Sequence, residues 1–278
     1  MKDLFDIISK ATSKLTTKVY STSFSMGVRM LNIKYRDPIY GIYGFVRFAD
    51  EIVDTFHDFD KTNLFQKFRE DTYYAIEQKI SLNPIINSFQ HVVNEYNIDI
   101  QIIDQFMHSM EMDLSEKTYD RDKFNKYVLG SAEVVGLMCL KVFCEGDDNY
   151  YNELKPYAMK LGAAFQKINF LRDLKADYHH LGRAYFPEAD LENFDDDIKR
   201  KLEIEIQDDF NEGYKGIKKL PKSVLFGVYL VYVYFLSLFR EIRKTPASRI
   251  INERIRISDF KKYGLLIGTF IKYELGMI

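Results

Sequence analysis

Apolar residues recur at three- and four-residue spacing along most of the chain, which predicts helices rather than strands. Glycine (14) and proline (6) are scarce in 278 residues, and most of the prolines precede a long periodic stretch. We therefore expect an all-α fold. The predicted helices cover residues 3–18, 22–33, 39–58, 61–80, 84–96, 99–115, 121–145, 153–180, 196–219, 221–244 and 247–275.

No linker divides the chain into two parts. The sequence contains no tract rich in glycine, serine or proline, no low-complexity segment and no short-period repeat. Its most polar segment, DLENFDDDIKRK at residues 190–201, predicts a loop that leads into a helix. With 46% hydrophobic residues there is enough apolar material for one large core. A single domain over residues 1–278 is the simpler interpretation.

The overall charge excludes some classes of partner. Lysine and arginine number 39 against 41 acidic residues, so the net charge of −2 gives no global attraction for nucleic acid or an anionic membrane. Any function that depends on charge must therefore be local. The first residues carry Asp3 and Asp6 where a signal peptide needs a basic start and an apolar run, which predicts a cytoplasmic protein.

Residues 223–239 form the most apolar segment. They contain 17 uncharged residues between Lys222 and Arg240, which is close to the roughly 20 residues needed to span a bilayer. Three tyrosines place hydroxyl groups along the middle of this segment. A buried hydroxyl needs a hydrogen-bond partner, which a packed core supplies more readily than hydrocarbon does. The pattern favours a buried helix over a membrane span.

Two segments place polar side chains on one face of an otherwise apolar helix. In each, the spacing of three or four residues puts the polar groups on the same side. The first set is Tyr43, Arg47, Asp50 and Asp54, and the second is Gln166, Asn169, Asp173 and Asp177. Arginine accompanies both: Arg47 precedes Asp50 by three residues, and Arg172 immediately precedes Asp173.

One such acidic face alone could be a solvated surface, but two faces on helices that are apolar elsewhere predict buried carboxylates. Buried carboxylates need positive charge beside them. Few histidines and no usefully spaced cysteines accompany them, which argues against zinc or iron. Oxygen ligands suit Mg²⁺, with Mn²⁺ as the alternative ion, and Mg²⁺ in proteins commonly shares its ligand sphere with phosphate groups. The pattern therefore predicts a diphosphate held through metal ions.

The remaining composition indicates what the diphosphate is attached to. The helices are rich in Phe (22) and Tyr (20), and small residues at positions 136 and 162–164 would let an apolar chain lie close to the backbone. Burying a hydrocarbon stabilises its complex by about 0.8 kcal/mol per methylene. A long hydrocarbon tail fits this composition, although most of the aromatic residues could equally be ordinary core.

Four segments, in this order, resemble signatures of the squalene and phytoene synthase family. YSTSFSMGVRML (20–31) resembles the amino-terminal Ser-x-Ser-Phe signature, and YGFVRFADEIVD (43–54) the first aspartate-rich motif. YVLGSAEVVGLM (127–138) resembles the Tyr-to-Val-Gly helix, and FQKINFLRDLKADYHHLGRAYFP (165–187) the second aspartate-rich motif with its Gly-Arg-x-Tyr-x-Pro tail. The resemblance implies a helical bundle of the isoprenoid-synthase type around a central apolar cavity. It also implies an enzyme that joins two prenyl diphosphates head to head.

The resemblance implies roles for individual residues. The expected metal ligands are Asp50, Asp54, Asp173, Asp177 and Asn169, of which the four aspartates are also expected to be catalytic. Tyr127 is expected beside the reacting carbons. The expected substrate-binding residues are Tyr20, Ser21, Ser23, Phe24, Tyr43, Arg47, Gln166, Arg172 and Arg254. The second motif departs from many relatives, which have Gly-Glu where this chain has Lys175 and Ala176; this bears on substrate preference more than on activity.

The length of the chain and the form of its second motif most resemble bacterial phytoene synthase. This favours geranylgeranyl diphosphate as substrate, a cyclopropylcarbinyl diphosphate intermediate, and phytoene for carotenoid biosynthesis as product. The alternative is farnesyl diphosphate, as in squalene or dehydrosqualene synthase; only the squalene enzyme needs reduced nicotinamide, and the chain has no glycine-rich dinucleotide motif. A scaffold without activity is a lesser alternative. We also expect peripheral contact with the inner face of the membrane, where an apolar product would leave.

Overall fold

A computed structural model describes residues 2–187 and 193–278. Within these residues it contains thirteen α-helices, two short π-helical turns and no strand, which confirms the predicted all-α fold. The helices are α1 (Lys2–Tyr20), α2 (Thr22–Arg29), α3 (Ile33–Asp54), α4 (Lys61–Gln78), α5 (Pro84–Glu95), α6 (Ile100–Ser115), α7 (Arg121–Val128), α8 (Val134–Cys144), α9 (Asp148–Ala176), α10 (Asp196–Ile217), α11 (Lys222–Lys244), α12 (Ala247–Ile250) and α13 (Asp259–Glu274), and the π turns are Leu129–Glu133 and Asp177–Leu181.

Short polar side chains begin most of the helices. In each case an oxygen of the residue before the helix accepts a hydrogen bond from a backbone N–H of the first turn, which would otherwise have no partner. Such caps precede α2, α3, α4, α5, α6, α7, α9, α10 and α13 and are Ser21, Asn32, Asp60, Asn83, Asp99, Asp120, Asp147, Asp195 and Ser258.

Two of the predicted helices differ most from the structure. The helix predicted to start at residue 39 begins at Ile33, because Asn32 caps it and Pro38 is accommodated inside the helix. The helix predicted over 247–275 is two helices separated by residues 251–258. There the half-buried Ile255 and Ile257 alternate with the exposed Arg254 and Arg256, which is the two-residue period of extended chain.

Two groups of apolar side chains form the core. The first joins α3, α5 and α6, where the ring of Phe45 stacks on Phe89 with centroids 3.7 Å apart and meets Phe106 at 5.4 Å. The second joins α9, α10 and α11 around Phe210 and Phe239. Since α9 also packs against α8, this long helix runs between the two groups.

Among the described residues, two helical stretches are long and apolar enough to cross a membrane by length and composition alone. They are Arg121–Cys144 and Lys222–Lys244, and 56% and 61% of their most apolar windows are buried inside the fold. The second contains the apolar segment 223–239. The sequence favoured a buried helix for that segment, and in the structure the helix packs against α2 and α10.

Small residues bring the helices together, which corrects one expectation. A side chain at Gly162 would lie 2.7 Å from the carbonyl oxygen of Ala132, and Ala163 and Ala164 are buried in the core. Gly162 therefore serves the close approach of α9 to the first π turn. Gly162 and Gly136 still line the central cavity, but backbone from the neighbouring helix takes the space beside them.

Candidate active site

The helices surround a cavity of about 630 Å³, a volume typical of small-molecule sites. Both polar faces predicted from the sequence line it, and so do most of the other predicted residues. The predicted residues in its lining are Tyr20, Ser21, Phe24, Tyr43, Arg47, Asp50, Asp54, Tyr127, Gln166, Asn169, Arg172, Asp173, Asp177 and Arg254. Ser23 is the exception, since it lies about 100° around α2 from Phe24 and outside the lining.

The cavity is polar at one end and apolar along the rest of its length. On α9 its lining changes from Gln166, Asn169 and Asp173 to Leu161, Ala158 and Leu154 toward the start of the helix. The stretch from residue 154 to residue 173 is roughly 28 Å long at the rise of an α-helix. A ligand with a charged head and a long hydrocarbon tail matches this division.

Arginine pairs with two of the carboxylates on the acidic face of α3. The guanidinium of Arg47 forms ion pairs with Asp50 and Glu51, which follow it by one helical turn. The same guanidinium lies 4.4 Å from the centroid of the Tyr20 ring, a distance typical of a cation–π contact. The carboxylates of this face are thus held next to a cation and an aromatic ring from the end of α1.

On α9, Asp173 is held by two arginines. Arg172 Nε donates to Asp173 Oδ1 at 3.0 Å, and Arg254 Nε lies 2.6 Å from the same oxygen. Arg254 comes from the extended segment after α12, which brings this distant part of the sequence to the site. Two turns earlier, Gln166 donates to Ser131 Oγ at 3.3 Å in the first π turn. Such π turns are common at functional sites.

Two of the aspartates, Asp50 and Asp177, lie in an environment that disfavours their charge. Burial raises the pKa of Asp177 to about 8, with Asp173 and Asp54 adding to the effect. Burial and the neighbouring Asp54 raise the pKa of Asp50 to about 8, although Arg47 opposes the rise. Carboxylates that resist ionisation because positive charge is insufficient form a suitable environment for a divalent cation.

The side chains do not form a preassembled metal site. In the described parts of the chain, no three histidine, cysteine, aspartate or glutamate side chains converge closely enough to hold one ion. The oxygen donors nevertheless have the chemistry that Mg²⁺ and Mn²⁺ require, and they line one cavity from two helices.

A buried network behind the site was missed from the sequence. Arg183 is 4% exposed in its side chain and pairs with Asp54 at 2.5 Å and with Asp113 Oδ1 at 3.3 Å. Tyr127 donates to Asp113 Oδ2 at 2.6 Å, and Tyr185 donates to Asp113 Oδ1 at 3.0 Å. Burial raises the pKa of Asp113 to about 6, while Arg183 opposes the rise. The network connects α3, α6 and α7 to the segment after α9.

A signal for this network existed in the sequence. Asp113 continues the helical stripe of Ile102, Phe106 and Met110, so a single acid stands on a face that is otherwise apolar. Arg183 and Tyr185 belong to the Gly-Arg-x-Tyr-x-Pro segment, which carried no assigned role. Neither observation specifies the partner, because the three elements are far apart in the chain.

Most of the chain matches one known protein family. The profile described as squalene/phytoene synthase matches residues 17–261. The chain belongs to this family. Members of the family are head-to-head prenyltransferases that act on prenyl diphosphates, so the charged and apolar parts of the cavity correspond to the two parts of such a substrate.

Relatives differ in the product named. The chain is 26% identical to 4,4'-diapophytoene synthase of Staphylococcus haemolyticus (strain JCSC1435) over 92% of its own length and 94% of the relative. It is also 26% identical to phytoene synthase of Arthrospira platensis over 88% and 87% of the two chains. A crystal structure of a dehydrosqualene synthase in complex with ligand superposes with a TM-score of 0.82, covering 97% of this chain and 98% of the other at 18% identity. At this low identity, the structural similarity shows that the two proteins share a fold.

The raised pKa values predict how stability depends on pH. Between pH 4 and pH 8 the folded protein binds more protons at Asp177 than the unfolded chain does, so the free energy of unfolding should fall as the pH rises. In Asp177→Asn this fall should be smaller, because asparagine does not bind the extra proton. We expect a difference on the order of 1 kcal/mol, since solvent screens the charge of a partly exposed group. Urea denaturation in EDTA at several pH values measures it, with exposed Asp71→Asn as control. An unchanged pH slope in Asp177→Asn would contradict the assignment.

The buried network predicts a large loss of stability. Arg183→Met leaves Asp54 and Asp113 without their shared cation, so we expect the free energy of unfolding to fall by about 3 kcal/mol. Arg172→Met is the matched control, because this arginine is partly exposed and Asp173 keeps Arg254; we expect a loss below about 1 kcal/mol. Urea denaturation followed by circular dichroism measures both. Equal losses would show that the buried pair has no special importance.

Proposed function

We propose that this protein joins two molecules of geranylgeranyl diphosphate head to head to form phytoene. The observation that carries the proposal is the arrangement of one cavity, with acidic and basic groups from α3 and α9 at one end and apolar side chains along the rest. The charged end suits the diphosphate and the apolar part suits the prenyl tails. The form of the second motif, which resembles bacterial phytoene synthase, supports the twenty-carbon substrate.

Divalent metal ions belong to this proposal. Asp50 and Asp54 on one side, and Asn169, Asp173 and Asp177 on the other, would hold Mg²⁺ or Mn²⁺. The raised pKa values of Asp50 and Asp177 and the oxygen donors of all five residues fit such an ion. When bound, the metal would offset the negative charge that develops on the departing diphosphate.

The arginines would bind the diphosphate oxygens. Arg47, Arg172 and Arg254 enter the charged end from α3, α9 and the extended segment after α12. Each is already fixed by a carboxylate, so its guanidinium is oriented before the substrate arrives. Preorganised positive charge of this kind stabilises the leaving group without the cost of reorganisation during the reaction.

The reaction then needs walls that exclude water. Loss of the first diphosphate leaves an allylic cation at C1, and the double bond of the second substrate attacks it; loss of a proton gives the cyclopropylcarbinyl diphosphate. A second ionisation, rearrangement and loss of a proton give the hydrocarbon. Water would trap either cation. Stacked rings such as Phe165 on Phe235, with centroids 4.1 Å apart, form an apolar wall.

Tyr127 would stabilise the cation through its ring. Its hydroxyl donates to Asp113, and burial raises its pKa well above the usual value, so the phenol stays protonated. The hydrogen bond increases electron density on the ring, which strengthens attraction for a nearby cation. A hydroxyl that already donates to a carboxylate is a poor base, which favours released diphosphate as the proton acceptor.

Of the two alternatives, one has support of its own. The relative named 4,4'-diapophytoene synthase and the dehydrosqualene synthase fold favour farnesyl diphosphate as substrate. A scaffold without activity has little support, since the aspartates and arginines expected of an enzyme line one cavity.

The products distinguish these substrates. Purified protein with Mg²⁺ should convert geranylgeranyl diphosphate to a forty-carbon hydrocarbon without reduced nicotinamide, because the last step loses a proton rather than gaining hydride. Gas chromatography with mass spectrometry identifies the product. A thirty-carbon product formed faster from farnesyl diphosphate would replace the proposed substrate. Products that retain a diphosphate, or no release of diphosphate, would contradict head-to-head joining.

The acidic residues can be tested individually. Asp50→Asn and Asp173→Asn should lower turnover at least about a hundredfold, since each removes a charged ligand from the diphosphate site. The fold should persist, because the change also removes a repelling charge. Asp71→Asn, on the exposed side of α4, is the control and should be fully active. Diphosphate release measures turnover, and activity near that of the wild type in either variant would remove the metal role.

A further inference from the structure

Helix α1 packs with its polar side inward. The residues it buries are all hydroxyl-bearing, Ser9, Ser13, Thr16 and Thr17. Its large apolar side chains are instead among the most exposed in the protein: Leu4 (62%), Ile7 (62%), Ile8 (51%), Leu15 (62%) and Val19 (70%). At 100° per residue these five lie within about 120° of the helix circumference, so they form one continuous apolar stripe.

The inward side fixes this orientation. α1 packs closely on α3 and α5, where a side chain at Gly44 would lie 3.0 Å from Ser13 Oγ. Asn87 of α5 donates to Ser9 Oγ at 3.1 Å, and Thr17 donates to the carbonyl of Ser13 at 2.9 Å. Larger apolar side chains would not fit there. The helix therefore cannot rotate to bury its apolar stripe within its own chain.

Positive charge flanks the stripe. Lys10, Lys14 and Lys18 are exposed along one edge and form no ion pair with any residue that the structure describes. The acids of α1 lie near its start, and Asp6 is already paired with Lys2 and with His91. The outer surface of α1 thus combines an apolar stripe with uncompensated lysines, although the whole chain carries a net charge of −2.

We propose that α1 lies flat in the interface of an anionic phospholipid bilayer, with its stripe among the upper acyl chains and its lysines at the headgroups. An amphipathic helix with lysines beside an apolar face has the composition of such interfacial helices. A second copy of the chain is a poorer occupant, since it would bring three more unpaired lysines and few acids to meet them. Anionic headgroups supply the missing charge.

The stripe lies beside the charged end of the cavity, which suggests that it brings that end to the membrane. This role of the stripe rests on the proposed function. The stripe ends at Val19, next to Tyr20 and Ser21, which line the charged end of the cavity. Nearby, α13 exposes Phe260 (89%) and Tyr263 (60%), and Lys262 donates to Thr22 at the start of α2 at 3.0 Å. A bilayer against this side would reach the end of the cavity where lipid diphosphates enter.

Cosedimentation with vesicles tests the proposal. The full chain should bind vesicles of phosphatidylcholine with phosphatidylglycerol, and bind vesicles of phosphatidylcholine alone far more weakly. Lys10→Gln/Lys14→Gln/Lys18→Gln should weaken binding to the anionic vesicles by on the order of a hundredfold, at about fivefold for each lysine. Ile8→Ser/Leu15→Ser should weaken it at least about tenfold, because the buried apolar area is lost.

Matched variants control for general effects. Lys67→Gln/Lys126→Gln/Lys201→Gln removes the same charge from exposed positions elsewhere, and Leu82→Ser/Ile204→Ser removes exposed apolar side chains. Both should bind like the wild type. Because Ile8 and Leu15 lie outside the cavity, their variant should turn over detergent-dispersed substrate at the wild-type rate. If the proposed reaction is wrong, all variants will lack turnover while the pattern of vesicle binding stays the same.

Three results would overturn the proposal. They are absence of wild-type binding to anionic vesicles, an equal loss in the stripe and control variants, and a dimer in light scattering that Ile8→Ser/Leu15→Ser dissociates. The last would assign the stripe to a second copy of the chain.

Discussion

Carboxylates that share a cavity repel one another strongly, because little water lies between them to screen the charge. This constraint governs the polar end of the bundle. Three of the four aspartates lie beside guanidinium groups, in the pairs Asp50–Arg47, Asp54–Arg183, and Asp173 with Arg172 and Arg254. Asp177 has no ion pair in the described chain, and its pKa rises to about 8; the pKa of Asp50 also rises to about 8, although Arg47 opposes the rise. Arginine and protonation thus share the task that metal ions perform in the proposed reaction.

The need to pair these carboxylates is met by arginines that differ in burial. Arg183 is buried and receives its carbonyl and carboxylate partners from α3 and α6, so it holds the framework in place. Arg254 is about half exposed and comes from extended chain, so it can change partners at little cost. An arginine that exchanges a carboxylate for a diphosphate keeps its charge paired throughout. We infer that diphosphate binding falls to the partly exposed arginines and support of the framework to the buried Arg183.

The two acidic faces could be predicted to share a candidate site because their residues follow helical spacing, and both faces line one cavity. Asp50 and Asp54, one turn apart, had to project from the same side of whichever helix contained them. Sequence reasoning could not locate Asp113, since one acid on an apolar stripe identifies burial but no partner. It also misjudged residues 251–258, where local spacing suggested a helix and tertiary contacts of Ile255 and Ile257 impose extended chain. The inward hydroxyl groups of α1 likewise become meaningful only beside Gly44 and Asn87.

The outer surface of α1 resembles the cavity in that both place charged groups next to an apolar surface. A substrate with an ionic head and a long tail partitions into membranes with its head at the surface, and a cavity whose charged end lies beside the end of α1 would meet that head first. Transfer to the cavity is easiest if apolar protein surface lies against the lipid beside the opening, since the tail then crosses less water. The apolar side chains on the outside of α1 are not needed to hold the helix in place. The small hydroxyl-bearing residues on its inner side let α1 pack closely on α3 and α5. The helix can therefore serve the surface of the fold and its core at once.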